Sequence, residues 1–165
     1  MRRRRLVGWA VGGAVAGLAA GCGFAPRRPT ALHFSSLQLA GFAPRSPLAE
    51  ELRDAVDATS TTRIVTQGAQ AVLEALADVR ERSVVASTAA GQVREVQLRA
   101  RFEFRLRSAA GRELIAPTQI VLARDMSYSE SLALAKAEEE ALLLHAMRSD
   151  IVAQVLRRLA AVPAP

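Results

Sequence analysis

From Val96 to Arg107 the chain reads VQLRARFEFRLR, with Val96, Leu98, Ala100, Phe102, Phe104 and Leu106 alternating with Gln97, Arg99, Arg101, Glu103, Arg105 and Arg107. Successive side chains of an extended strand point to opposite faces, so a strand gathers these apolar groups on one side. A helix would scatter them around its circumference. The segment therefore predicts a strand whose apolar face needs a cover. Its other face turns Arg99, Arg101, Arg105 and Arg107 toward water or a polar partner.

Neighbouring patterns supply further elements. Leu32, Phe34, Leu37 and Leu39 predict a first strand, ended by Gly41 and Ala43-Pro44. Ser46-Pro47 is a helix start, with serine as cap and proline at the first helical position. Leu48, Leu52, Ala55 and Val56 then recur at helical spacing, and the polar stretch 59–63 ends the helix. Ile64-Val65 has room for a short strand. Residues 72–85 fit two readings. Their Ala, Leu and Glu content favours a helix, whereas the imperfect alternation through Leu73, Ala75, Ala77 and Val79 toward Val84-Val85 favours a strand. A hairpin across residues 89–92 is the shorter connection to the 96–107 run, so we read a strand.

After a turn at residues 108–111, Leu114, Ile115, Ile120, Val121 and Leu122 predict another strand, antiparallel to its predecessor because the turn is short. Pro117 interrupts it and, unable to donate to a ladder, marks an edge or a bulge. Residues 132–161 contain neither glycine nor proline. Ala135, Leu142, Ala146, Ile151, Val155 and Leu159 give this stretch an amphipathic helical stripe, with Ser129 or Ser131 as cap and Pro163 as stop. Acid at 138–140 and base at Arg157-Arg158 suit the helix dipole. The order strand, helix, strand, strand, strand, helix predicts an α/β sandwich, two helices packed on one face of a mixed four-stranded sheet.

A chain of 165 residues is long enough for one domain with its own core. Its formal charge of +6 includes Arg2, Arg3, Arg4 and Arg5, which lie in a segment read below as cleaved; without those four the balance is +2. So small an excess does not indicate nucleic acid. Cys22, the single cysteine, excludes an intramolecular disulfide and a cysteine-built metal site.

The uncharged run Leu6–Ala20 behind the basic start falls short of the roughly twenty apolar residues a membrane-spanning helix needs. It predicts a signal peptide over residues 1–21. Leu18-Ala19-Ala20-Gly21-Cys22 resembles a lipobox, at which a bacterial lipoprotein is cut before a cysteine that is then acylated, although Ala19 stands where leucine is usual. Two other readings remain: a plain secretory signal followed by a buried cysteine, and a twin-arginine export signal. Each buried methylene of an acyl chain contributes about 0.8 kcal/mol, so several chains hold a protein on a membrane. Gly23 follows the cysteine, and by resemblance to the enterobacterial sorting rule, in which aspartate there retains the protein in the inner membrane, this implies the outer membrane. Residues 22–30 then form the lipidated N-terminus and a proline-containing linker, 31–162 a single domain, and 163–165 a short tail.

No nucleophile motif, phosphate loop or paired-histidine metal site occurs in the sequence, and His33 and His145 stand apart at expected solvent positions. No catalytic residue, cofactor or metal is expected, and the chain does not read as an enzyme.

Four stretches carry a resemblance: Cys22-Gly23-Phe24, SPLAEELR, REVQLRARFEFRLR, and above all RDMSYSESLALAKAEEEALLLHAMRSDIVAQVLRRL. Together they resemble the LPS-assembly lipoprotein family LptE over nearly all of the mature chain. The resemblance implies a plug seated in the lumen of the outer-membrane β-barrel LptD, a partnership that delivers lipopolysaccharide to the outer leaflet, and direct contact with lipopolysaccharide. A polar lumen wall suits Arg99, Arg101, Arg105 and Arg107 as barrel-facing residues. Lys136 is the one lysine beside twenty-one arginines, and the resemblance implies that it belongs to a lipopolysaccharide-contacting site shared with a basic residue in the turn before the central strand. That turn here is Ala89-Ala90-Gly91-Gln92, which leaves Arg94 or Arg82 to take the part. A plain ion pair of Lys136 with Glu139 or Glu140 is the simpler alternative. The other functional reading is a lipid-anchored periplasmic adaptor of a different envelope transport machine.

The mature protein is expected to begin at an acylated Cys22, which intact-mass measurement checks directly; an unmodified thiol or a different start would be the contrary result. Cys22→Ala is expected to release a soluble, folded periplasmic domain, because the anchor adds nothing to the core.

Overall fold

The computed structural model describes residues 31–59 and 61–163. The signal segment 1–21, Cys22 and the 22–30 linker lie outside the described residues. Five strands and two helices follow one another as β1 (Ser36–Ala40), α1 (Pro47–Asp57), β2 (Arg63–Ile64), β3 (Ala71–Ser87), β4 (Val93–Ser108), β5 (Glu113–Ser127) and α2 (Ala133–Ala160), with a 3-10 turn at Glu130–Leu132 leading into α2. The strands form one open sheet in the order β2-β1-β3-β4-β5. β1 runs parallel to both β2 and β3, while β3, β4 and β5 form an antiparallel meander.

The sheet is mixed and carries both helices, as the pattern predicts, but it has five strands and not four. Arg63 and Ile64 pair with Ser36 and Leu37 and add a short edge strand. Two residues are too few to display a period, and only the nearby β1 gives them a ladder to join. β1 itself starts later than the apolar run from Leu32 suggests. Leu32 and Phe34 are buried, yet their backbone is satisfied by side chains: Thr61 Oγ1 accepts from the Leu32 amide at 3.4 Å, and Thr62 donates to the Phe34 carbonyl at 2.6 Å.

The alternation in β4 is fully realised. Val96, Leu98, Ala100, Phe102, Phe104 and Leu106 are all buried against the helices. Phe102 stacks on Phe104 at 5.5 Å between ring centroids and on Phe42 at 5.9 Å. These rings join Leu37, Leu73 and Ile120 from the sheet, Leu48, Leu52 and Val56 from α1, and Met147, Ile151, Val155 and Leu159 from α2 in one core. α1 begins as its sequence dictates: the Ser46 hydroxyl accepts from the Ala49 amide at 3.3 Å, and Pro47 occupies the first turn.

α2 departs from expectation in two ways. Neither Ser129 nor Ser131 caps it; the two hydroxyls bond each other at 2.9 Å, and Leu132 stands uncapped at the boundary. In its first half, Ala135, Leu142 and Ala146 face solvent, Leu142 being 72% exposed, while Lys136 and Glu140 turn toward the sheet. The cause lies in the sheet below, where β3 and β5 present Arg82 and Arg124 on this side, so α2 meets them with Glu140 and Asp150 and not with leucines.

Two irregularities shape the long strands. Leu76 is an extra residue between Ala75, opposite Phe104, and Ala77, opposite Glu103. Beyond this bulge the faces of β3 exchange, so Asp78, Arg80 and Arg82 share the helix side with Phe102, Ala100 and Leu98. Gly41 packs beside the same bulge with φ +76°, and a Cβ there would lie 2.3 Å from the Ala75 carbonyl oxygen. No side chain fits that approach. In β5, Pro117 falls in the register shift between Ile115 and Thr118 on an edge strand, the setting a missing amide requires.

The helices are tied together by Glu51 of α1, which accepts from Arg148 Nε at 2.6 Å and from the Ser149 hydroxyl. Burial alone would raise the Glu51 carboxyl, but hydrogen bonds from Ser149 and Arg148 and the charges of Arg148 and His145 outweigh it and hold the group below its ordinary value. A carboxyl lowered on folding contributes stability above its unfolded pKa of about 4.3 and loses that contribution as pH falls through the folded value. The melting-temperature gap between wild type and Glu51→Gln is therefore expected to be widest near neutral pH and to close below about pH 4. In urea unfolding at neutral pH, Phe102→Ala is expected to cost about 3–5 kcal/mol, since it empties the centre of the aromatic stack.

Candidate functional site

Two surfaces concentrate polar groups: the sheet face turned away from the helices, and the far end of the β3–β4 hairpin, where α2 begins.

On the open face, rungs run across three strands. Ser83, Gln97 and Asp125 form one, Glu81, Arg99 and Ala123 the next, then Val79, Arg101 and Val121, then Ala77, Glu103 and Gln119. Arg99, Arg101, Arg105 and Arg107 all project here, but not as bare cations. Glu74 on β3 accepts from Arg105 Nε at 2.9 Å and from Arg107 Nη2 at 2.7 Å. Its carboxyl is held below the ordinary range, first by the Arg105 hydrogen bond against an opposing burial effect, then by the charges of both arginines. Arg101 lies 3.9 Å from Glu103, and Arg99 donates to Gln97 at 3.4 Å, which in turn donates to Asp125 at 2.9 Å. The face is a lattice of charges and hydrogen bonds in which acids answer most of the arginines.

At the hairpin end, Lys136 and Arg82 place their side chains, and Arg94 its backbone carbonyl, on the consecutive pair Ser127-Tyr128 at the close of β5. Lys136 donates to Ser127 Oγ at 3.0 Å and to Glu139 at 2.7 Å. The Arg82 guanidinium lies 5.2 Å from the Tyr128 ring centroid, a cation–π distance, while its Nε reaches Glu140 at 3.2 Å. The Arg94 carbonyl accepts from the Tyr128 amide at 2.8 Å, and Arg94 lines a cavity of about 310 Å³ with Gln92, Val93, Ser129, Glu130 and Ser131. Among the described residues the Arg94 guanidinium has no hydrogen-bond or ion-pair partner.

Residues far apart in sequence thus converge at this basic pole. Sequence spacing offers both Glu139 and Glu140 to Lys136; the structure assigns Glu139 to Lys136 and Glu140 to a strand 58 residues away. The roles of Ser127, Tyr128 and Glu74 have no local signal in the sequence, because each depends on a cross-strand or helix–sheet register. Among the described residues no group of histidine, cysteine, aspartate and glutamate is placed to hold a metal, and no helix is long and apolar enough to cross a membrane.

Nothing among curated proteins matches the chain. Solved structures do. An uncharacterized lipoprotein B from Nitrosomonas europaea is 27% identical, with a TM-score of 0.73 over 84% of this chain and 91% of that one. Rare lipoprotein B from Shewanella oneidensis is 26% identical, with a TM-score of 0.67 over 77% and 95%. A minor lipoprotein from Acinetobacter baumannii, 18% identical, shares the fold at a TM-score of 0.65 over 81% and 98%. The family model LptE, described as lipopolysaccharide-assembly, matches residues 34–159. That match takes in the whole sheet, α1 and all but the last residue of α2, and the chain belongs to the LptE lipopolysaccharide-assembly family.

Proposed function

We propose that the mature chain is an outer-membrane lipoprotein, anchored through acylated Cys22, that seats inside an LptD-type β-barrel and helps insert lipopolysaccharide into the outer leaflet. The observation that carries this reading is the open sheet face. It runs the length of strands of 15 to 17 residues and is lined by hydrogen-bonding and charged groups, while both helices pack on the other side. The interior wall of such a barrel is polar, so a plug needs a long polar surface and not an apolar one. An adaptor docking on some other envelope machine would need only one patch.

The chemistry expected of this protein is contact and not catalysis. Arg99, Arg101, Arg105 and Arg107 meet the wall as half-satisfied donors with guanidinium hydrogens to spare. Lys136, Arg82 and Arg94 form a pole suited to lipopolysaccharide phosphates: arginine as a planar fork, lysine as a compact point charge.

A photoreactive residue at Val121 or Gln119, beside the arginine row, is expected to crosslink to a β-barrel in intact cells. The two proteins are expected to stay together in moderate salt, because an enclosed plug buries more than the roughly 1,600 Å² of a standard interface, and salt weakens exposed charge pairs far more than buried contacts. Failure of both positions to capture a barrel, or separation in moderate salt, overturns the plug reading.

A further inference from the structure

We infer that Glu139 and Glu140 are built-in counter-anions that occupy the phosphate positions of the basic pole until a ligand bearing more than one phosphate displaces them. This rests on the lipopolysaccharide reading proposed above and adds how that site selects its ligand.

The two carboxylates are consecutive on α2, yet each holds a different cation: Glu139 takes Lys136 at 2.7 Å, and Glu140 takes Arg82 at 3.2 Å. Both cations have a second, uncharged support. Ser127 Oγ steadies the lysine ammonium at 3.0 Å, and the Tyr128 ring lies under the arginine. A carboxylate can therefore leave while the cation stays aimed. A phosphate brings more charge and more acceptor oxygens than the carboxylate it replaces. The helix dipole does not explain the arrangement, since Glu139 and Glu140 lie past the first turn of α2, where the dipole acts, and Lys136 near the helix start is opposed by it. Each pair keeps one partner open to solvent, Glu139 at 47% against 16% for Lys136 and Arg82 at 40% against 26% for Glu140, which leaves a route for exchange. Arg94, without a partner beside its cavity, is open from the start. An arriving ligand meets one free cation and two occupied ones. A single anion satisfies the first, and further phosphates are needed to turn out the glutamates.

The test measures binding of lipopolysaccharide, and of lipopolysaccharide stripped of its phosphates, to the full-length lipoprotein in detergent at fixed low salt. Glu139→Gln and Glu140→Gln are each expected to tighten binding roughly twofold to fivefold, the range an exposed ion pair represents. The gain should vanish with the stripped probe. Glu138→Gln removes the same charge from a residue that has no cation partner among the described residues, and it should change nothing. Unchanged or weaker binding by the two glutamine variants, while Lys136→Glu still weakens binding, overturns the counter-anion role and leaves the ligand reading standing. An equal gain from Glu138→Gln overturns it too, by assigning the effect to overall charge. If Lys136→Glu, Arg82→Glu and Arg94→Glu all bind as wild type does, the ligand reading falls and the counter-anions with it.

Discussion

The register of β4 between its two long neighbours is the constraint on which the remaining structure depends. β4 alone has long strands on both sides, and its even positions carry Phe102 and Phe104, two of the three buried phenylalanines among the described residues. A slip of one residue would put Arg99, Arg101, Arg105 and Arg107 under the helices and the phenylalanines in water. Burying one unpaired charge costs more than any surface pair returns, so the alternation excludes the slipped state decisively. The rungs of the open face, the Glu74 bridge to two arginines and the meeting of Arg82 with α2 all follow from that one register.

What was legible in the sequence tracks how directly each element obeys a local period. β4 obeys period two without exception and is readable on sight. α1 announces itself by its serine cap and its first-turn proline. β3 is legible as a strand from its connection to β4, and the structure bears that out, but its own alternation is blurred by one residue. Leu73 and Ala75 point toward the helices, but after the bulge at Leu76 the same side is taken by Asp78, Arg80 and Arg82. A strand that exchanges faces midway has no single parity, and its alternation looks defective because the stretches on either side of Leu76 are joined out of phase. β2 shows at Ile64-Val65 only as room for a short strand and stays out of the strand count for a different reason: two residues have no period at all.

The first half of α2 misleads for a third reason, and it is the part nearest the basic pole. A stripe drawn through Ala135, Leu142 and Ala146 assumes that apolar side chains face the body of the protein. They face outward here, because the sheet beneath is charged and is met by Lys136, Glu140 and Asp150. The face-exchanging bulge is what puts Arg82 there. A single inserted residue therefore builds the pole and, by the same act, obscures which side chains of β3 and of α2 face inward. Of the candidate residues, the four arginines of the open face were placed by periodicity alone, whereas the gathering of Arg82, Arg94 and Lys136 on Ser127-Tyr128 belongs to tertiary structure.

Strand directions also bear on how far the pole would stand from the membrane anchor proposed at Cys22. β1 is parallel to β3, with Leu37 level with Ala71, so the chain enters the domain at the end where β3 starts. β3 then runs 17 residues, about 55 Å at the usual rise, before the hairpin turn. A linker from Cys22 to Ala31 reaches roughly 35 Å when fully extended. Anchored at Cys22, the protein can touch the anchoring membrane surface with its basic pole only by lying along it. Standing upright, it separates the two by more than the linker can span. Inside the barrel proposed above, the walls would remove the first option, and the proposed anchor and the basic pole would then work at different depths.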